Sequence, residues 1–350
     1  MKKLLVRIII LIVLIPIVWV CGNLLYGTLT DYQPNEKINV EVIGEGAAKI
    51  DSSLSMIIWN IGYAGLGEES DFFYDGGSTV RMGQETVRKN LHGIYGFVTT
   101  NDSVDVFLLQ EVDYNSKRSY GTNEYDRLAE SMTEYASSSC LNYNVGFVPV
   151  PYLNPMGGVE AGLVNFSKFQ PSESVRYQYP SSYSWPNRIY FLDRCCLLSR
   201  YPLENGKSLV VINTHNSAYD DGGMKKAEMG YLKGLVTREY ESGNYVIVGG
   251  DWNQCPPQFE VDKFIPESAT EAGAPSRVPD DYLTNWHWAY DFEFPTNRSL
   301  KAPFDPENTP RHLIDYFLLS PNLEVQDCRT LAQQFKYSDH EPVYLKVTFK

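Results

Sequence analysis

The chain has six cysteines but no Cys-x-x-Cys pair, which gives no support to a zinc ribbon or a thioredoxin-type redox site. It also has no Gly-x-Ser-x-Gly elbow, no His-Glu-x-x-His, no Walker loop and no Gly-x-Gly-x-x-Gly. The serine-hydrolase, zincin, phosphate-loop and dinucleotide signatures are therefore all missing. No repeat with a period of about 20–50 residues and no low-complexity tract is present, so a solenoid is not indicated. Positive charge is scarce: 30 Lys and Arg stand against 43 Asp and Glu, a formal net charge of −13. Lys2, Lys3 and Arg7 are the only charged residues before Asp31, so residues 31–350 carry −16. A domain that acidic has no broad basic field to hold a phosphate backbone, which disfavours tight nonspecific nucleic-acid binding but leaves a metal-assisted site open.

What is present begins with a long apolar run. "MKKLLVRIIILIVLIPIVWVCGNLLYGTL" sets its three basic residues ahead of an apolar stretch from Ile8 to about Tyr26. That length just spans a bilayer, and the basic flank predicts an inside N-terminus. A cleaved signal peptide followed by secretion is the alternative, but its apolar region is usually shorter and ends in small residues. Here Val18, Trp19 and Val20 precede Cys21, which also makes a poor lipoprotein cleavage site. The expectation is a signal-anchor or transmembrane segment over residues 1–30, a polar linker over 31–50 and one domain over 51–350, outside the cytoplasm. Disulfides are open to such a domain, but the sequence does not pair its cysteines.

Beyond residue 50 the chain alternates short β-rich runs with helical patterns. "LSMIIWNI" (54–61), "VDVFLLQE" (104–111), "SLVVINTH" (208–215), "NYVIVGGD" (244–251) and "IDYFLLS" (314–320) read as buried strands, and "VYLKVTF" closes the chain with the alternation of a half-buried one. Val87, Leu91, Ile94 and Val98 recur at helical spacing, as do Ala227, Tyr231, Leu235 and Val236. Gly and Pro clusters at 149–158, 254–281 and 301–310 read as long loops. One α/β domain with strands buried on both faces fits this pattern.

Polar residues recur where the apolar strands end. Asn60 follows "MIIW", Glu111 follows "VFLLQ", His215 follows "VVINT", and Asp251 and Asn253 follow "VIVGG". Asp315 and the Asp339–His340 pair stand at strand starts. Each has a bland reading as a cap, turn or solvated strand end; Asp315, beside a buried run, needs a partner in any case. Together they sit where α/β proteins place chemistry. Carboxylates and an Asn amide without a cysteine cluster suit a hard ion, Mg²⁺ or Mn²⁺ or Ca²⁺, and two histidines suit proton transfer and charge stabilisation. Metal-assisted hydrolysis of a phosphoester is the chemistry left.

The order Asn, Gln-Glu-Val, Asn-Thr-His, Gly-Asp-Trp-Asn, Asp-Tyr, Ser-Asp-His resembles the endonuclease/exonuclease/phosphatase superfamily over about residues 52–350. The resemblance implies a four-layer α/β sandwich with two central mixed sheets, the site at one sheet edge. It implies Glu111 as the principal metal ligand, with Asn60 beside it supporting metal or phosphate and Asp339 approaching the metal. Asp251 and Asn253 would orient the attacking water and hold a phosphate oxygen. His340 would contact the scissile phosphate with Asp315 as its carboxylate partner, and His215 would stabilise charge on the phosphate or leaving group. Arg194 aligns loosely with a phosphate-facing arginine. Two departures bear on substrate: Asn216 follows His215 where an apolar residue is usual, and "KKAEMGYL" stands where many relatives carry an Arg and a Gln three residues apart.

The implied activity is metal-dependent phosphoester hydrolysis, with nucleic acid, lipid or a soluble ester as substrate. A catalytically inactive adaptor on the same fold is the alternative from another class, although every expected catalytic residue type is present. Aromatics cluster in "SSYSWPN" (181–187) and "LTNWHWAYDFEF" (283–294); they either pack in the core or, exposed, stack on bases or seat in a lipid interface. The charge of −16 tilts the expectation away from duplex DNA, towards a lipid or small phosphodiester.

Overall fold

The computed structural model describes residues 2–47, 49–220, 223–269 and 273–350. The strands of the first half are β1 (Lys37–Val40), β2 (Val42–Ile43), β3 (Ser53–Asn60), β4 (Val106–Asp113), β5 (Ala136–Val148), β6 (Gly157–Ser167), β7 (Glu173–Gln178) and β8 (Cys195–Pro202). Those of the second half are β9 (Ser208–His215), β10 (Tyr245–Asp251), β11 (His287–Ala289), β12 (Asn297–Arg298), β13 (Arg311–His312), β14 (Asp315–Leu319), β15 (Leu323–Thr330) and β16 (Val343–Phe349). Among the described residues four α-helices accompany them: α1 (Lys2–Leu29), α2 (Gln84–Thr100), α3 (Glu124–Ala129) and α4 (Met224–Glu241). Sheet I has the order β15-β16-β3-β4-β6-β5-β2, and sheet II the order β1-β7-β8-β9-β10-β14-β11. Each is mixed, with one parallel pair (β3 with β4, β9 with β10) among antiparallel ones.

The four-layer sandwich expected from the sequence is what forms, and the continuous apolar runs explain why. Successive side chains of a strand face opposite ways, so each run feeds two layers. Met56, Ile58, Leu108, Val211, Ile247 and Phe317 meet between the sheets. Their neighbours Ile57, Trp59, Phe107 and Leu109 face outward onto Val87, Ile94 and Val98 of α2 and Leu128 of α3. Val210, Ile212, Val246 and Val248 face the other way, onto Leu232, Leu235 and Val236 of α4. The sheets approach closely at Gly249, where an added Cβ would come within 2.7 Å of Ile58 and Phe317.

Residues 31–50, read as a connector, contribute β1 and β2, which extend the edges of both sheets by pairing with β7 and β5. A short strand with few apolar residues leaves little periodicity to read, and here the sheet edge supplies the order. The aromatic stretches divide between the two readings. Trp286 is buried, and Trp288 packs at a tilt of 60° against Trp252 and Tyr316 in the outer core, while Trp185, Phe292 and Phe294 are exposed. Cys140 of β5 and Cys195 of β8 face each other between the sheets as free thiols, sulfurs 3.9 Å apart. Helix α1 is apolar from Ile8 onward, after Lys2, Lys3 and Arg7, and is long and apolar enough to cross a membrane.

Candidate active site

At one edge of the sandwich the hydrocarbon between the sheets gives way to acid and imidazole, and strand register does the placing. His215 of β9 lies opposite Asp251 of β10, and Asp251 lies opposite Asp315 of β14. Three polar side chains therefore stand on one rung, at the interstrand spacing of about 4.8 Å. Sheet I supplies the facing half. Asn60 ends β3 beside Gln110 of β4. The pairing of β4 with β6 slips between Leu109 and Val112, and Glu111 inside this bulge has a φ of 54°. A bulge re-aims the side chain it contains, at the cost of a strained backbone in a residue other than glycine.

The last motif is held across the top of both sheets. The Ser338 hydroxyl donates to the Asn60 carbonyl at 2.8 Å and accepts from the His340 amide at 3.1 Å. Trp59 Nε1 donates to the His340 carbonyl at 2.9 Å. The His340 ring thus meets Asp315, its Nδ1 2.8 Å from Oδ2, while Nε2 lies 3.8 Å from an oxygen of Asp251 and of Asp339. The Asn297 amide nitrogen is 3.0 Å from the same Nε2. Asp315 is anchored in turn, for Thr296 Oγ1 accepts from its backbone amide at 3.0 Å. Gly62 has a φ of +51°, and a Cβ there would meet Asp339 Oδ1 at 2.9 Å; a side chain would push on the motif.

Asn60 ties the halves together. Its Nδ2 donates to Asp251 Oδ2 at 3.1 Å and reaches Glu111 Oε1 at 3.3 Å, while its oxygen accepts from the Gly62 amide at 3.0 Å. It turns its NH₂ to the two carboxylates, which suits orienting them better than offering them a fellow ligand oxygen. His215 Nε2 lies 3.5 Å from Asp251 and 3.8 Å from Glu111. Asn253, with a φ of 51°, has its amide on Asp251 Oδ1 at 2.9 Å and donates from Nδ2 to the Asn216 carbonyl at 2.9 Å.

Burial and charge set the protonation states. Burial alone would lower His340, but the carboxylates of Asp315, Asp339 and Asp251 outweigh it and push the imidazole well above its ordinary range. Asp339 is pushed up to about 7 by burial, with His340 pulling it back. His215 goes well down, first by burial and then by the charges of Arg194 and His340; its Nδ1 has no hydrogen-bond partner among the described residues. The two histidines therefore differ: one is a buried cation, the other a neutral ring.

These groups floor a cavity of about 660 Å³. Glu111, His215, Asp251, Asn253, Asp339 and His340 line it; Asn60 and Asp315 stand behind, bonded to lining residues. Arg194 lines it as well, its buried Nη1 unpartnered among the described residues. Sequence reasoning missed Arg118, Lys225, Asn297 and His312, which also line the cavity. Arg118 pairs with Asp113 at 2.9 Å and stacks 3.5 Å above the centre of the Tyr63 ring. Lys225, in the departing "KKAEMGYL", donates to the Asn253 carbonyl at 3.1 Å. That departure was the one signal available; the others lie on loops and short strands without periodicity. Aromatic side chains form the rim: Phe72, Tyr74, Tyr183, Phe191 and Tyr219. Tyr219 donates to Asp75 at 2.7 Å, and Tyr183 to the Tyr219 carbonyl at 2.6 Å.

Asp251, Asp315 and His340 bring their ligand atoms within 4.8 Å of one another, a group able to hold a metal ion. A two-sheet sandwich with such a carboxylate–histidine edge defines a class of phosphoester hydrolases, and comparison with known proteins agrees. The chain belongs to the endonuclease/exonuclease/phosphatase family, whose model matches residues 70–340. An endonuclease/exonuclease/phosphatase from Beutenbergia cavernae is similar in structure, with 18% identity, TM-score 0.58, and 85% of this chain and 72% of that one covered. The human Nocturnin catalytic domain with bound sulfate matches at 19% identity and TM-score 0.52, covering 89% and 98%. TDP2 of D. rerio, complexed with a single-strand DNA product, matches at 15% and 0.51, covering 85% and 100%. At these identities the structural likeness speaks for the fold alone. No curated protein matches the chain.

Proposed function

We propose that the chain is a metal-dependent phosphoesterase, anchored by α1 with its sandwich domain, from β1 onward, outside the cytoplasm, that hydrolyses a phosphodiester of a lipid or small molecule. The donor set fits a hard divalent cation: Glu111, Asp251 and Asp339 bring carboxylate oxygens to one cavity, and burial holds Asp339 up at about 7 even with His340 beside it, so a further cation would favour its ionised form. Glu111 and Asp339 would hold Mg²⁺ (or Mn²⁺ or Ca²⁺), with Asn60 supporting them. The bound ion supplies Lewis-acid polarisation of a phosphoryl oxygen and neutralisation of charge.

The protein groups do the rest. Asp315 fixes the His340 ring through Nδ1, which leaves Nε2–H to donate to a phosphoryl oxygen as negative charge grows there. Asp251, oriented by the Asn60 amide and the Asn253 backbone, is placed to hold the attacking water and take its proton. The Asn253 side chain and neutral His215 complete the polar wall, and Arg194 adds its Nη1, which has no partner among the described residues.

The observation that carries this reading is the His340–Asp315 contact at 2.8 Å on the rung that also holds Asp251. It is tested with the full chain in detergent, assayed with Mg²⁺ or EDTA on bis(4-nitrophenyl) phosphate, sphingomyelin, phosphatidylinositol phosphates, plasmid DNA and RNA. Metal-dependent turnover of an ester that Asp251→Asn abolishes supports it; hydrolysis that ignores EDTA, or none at all, overturns it. The aromatic rim gives a nuclease reading some weight, because exposed rings stack on bases. DNA nicking at about physiological salt with no lipid or small-ester turnover would establish that reading instead.

A further inference from the structure

One wall of the cavity is also the seat of α1. The segment from Ser181 to Arg194 begins at the cavity with Ser181 and Tyr183, leaves it, and returns with Phe191 and Arg194. Between these points it grips the end of the helix. Trp185 Nε1 donates to Thr28 Oγ1 at 3.2 Å, and Arg188 pairs with Asp31 at 3.2 Å. Ile189 packs so closely that a Cβ on Gly27 would come within 2.8 Å of it. Tyr143, another cavity residue, donates to the Tyr190 carbonyl at 3.0 Å.

The neighbouring loop reaches further down the helix. The Tyr152 ring meets Trp19 edge-on, centroids 4.9 Å apart. Trp19 lies ten residues before the end of α1, about 15 Å along the axis, and within the outer half of the apolar run. This loop is exposed and greasy: Leu153 is 92% accessible, Tyr152 58% and Val150 40%. Trp185, beside the helix end, is 54% accessible. In a domain of net charge −16, no charged residue occurs from Leu141 to Val159 or from Tyr177 to Asn187. Apolar and aromatic side chains level with a membrane-length helix suit a bilayer interface, and the cations beside them are already engaged: Arg188 by Asp31, Arg81 by the Asn154 side chain and the Pro155 carbonyl, and Lys117 by that same carbonyl, which suits an uncharged bilayer. Met156 carries this loop back to the cavity.

We propose that the loops at 146–156 and 183–191 form, with the outer end of α1, a platform that inserts into the headgroup region of a zwitterionic bilayer. The platform turns the mouth of the cavity to the membrane, and the substrate is a phosphoester headgroup of the leaflet on which the domain stands. This rests on the phosphoesterase reading for the substrate and on the anchor reading of α1 for the platform.

The test uses the full chain in phosphatidylcholine nanodiscs carrying lipids brominated close to the headgroup. Trp185 emission, taken as the difference between wild type and Trp185→Phe, is expected to be quenched; emission indifferent to the brominated lipid overturns the platform. In the same discs Val150→Asp combined with Leu153→Asp is expected to cut turnover of headgroup-labelled phosphatidylcholine or sphingomyelin about tenfold or more, with turnover of soluble bis(4-nitrophenyl) phosphate unchanged. Equal rates on the lipid, or equal losses on both esters, overturn the delivery of substrate from the membrane. Turnover of the soluble ester alone by the wild type overturns the lipid substrate while the phosphoesterase reading stands. Turnover of neither overturns that reading, and the quenching still decides the platform.

Discussion

On the floor of the cavity and just beneath it, His215, Asp251 and Asp315 share one rung of sheet II, and Asn60 ends a strand of sheet I opposite them. On the rim, Phe72, Tyr74, Tyr183, Phe191 and Tyr219 stand on irregular segments, joined by ring-to-ring contacts and by the phenol hydrogen bonds of Tyr219 and Tyr183. Backbone ladders fix the first set, so a floor side chain moves only if a sheet moves. The second set depends on side-chain bonds that a single substitution removes. The same cavity thus joins a part that tolerates almost no change with a part able to change its shape, and chemistry and choice of substrate divide along that line.

The sharpest test of this division is on the floor. His340→Ala and Asp251→Asn are each expected to lower kcat by about two to four powers of ten, the scale of acid–base and oxyanion groups; Asp251→Asn keeps thermal stability near wild type, while His340→Ala, which strips Asp315 of its partner, lowers it. Glu111→Gln should lose most activity and regain part of it at high Mg²⁺, measured as a shifted metal-concentration curve. The packing beneath comes next: Phe317→Ala, between the sheets beside Gly249, should cost about 3–5 kcal/mol in chemical denaturation and take activity with it.

His312 also lines the cavity and gives a pH signature. Burial lowers its pKa to about 4 from the ordinary 6.5, so the fold favours the neutral ring. Its contribution to stability is present above about 6.5 and lost as pH falls towards 4. Melting temperatures taken from pH 7 to pH 4 should fall, and less steeply in His312→Asn. The smallest effect belongs to the rim: Tyr219→Phe, which removes the bond to Asp75, should raise KM about threefold with kcat nearly unchanged. A large kcat loss there, or a small one for Asp251→Asn, would erase the distinction between floor and rim.

The floor was legible in the sequence because strand-end chemistry writes itself beside an apolar run. "VIVGGD" and "VVINTH" announce both a strand and the polar residue that ends it, and pairing in register then sets Asp251 beside His215. The sandwich was legible for the same reason, since runs such as "SMIIWN" have no polar face. What escaped notice lacks that coupling. Arg118 sits in a loop; Asp113 is five residues before it, but Tyr63, on which it stacks, is dozens of residues away in the chain, and nothing local joins the three. Asn297 and His312 belong to a two-stranded ribbon of two residues each, too short to show any period. β1 and β2 carry no long apolar run either, and were read as a connector.

That connector has a mechanical consequence. As free coil, residues 31–50 would let the domain swing on a radius of about 25 Å. With β1 and β2 stitched into the sheets, only residues 30–36 separate the helix from the first paired residue, and Arg188 clasps Asp31 within them. The domain is then a bracket bolted to a post: it turns when the helix turns, and a twist applied at one end reaches the other without slack.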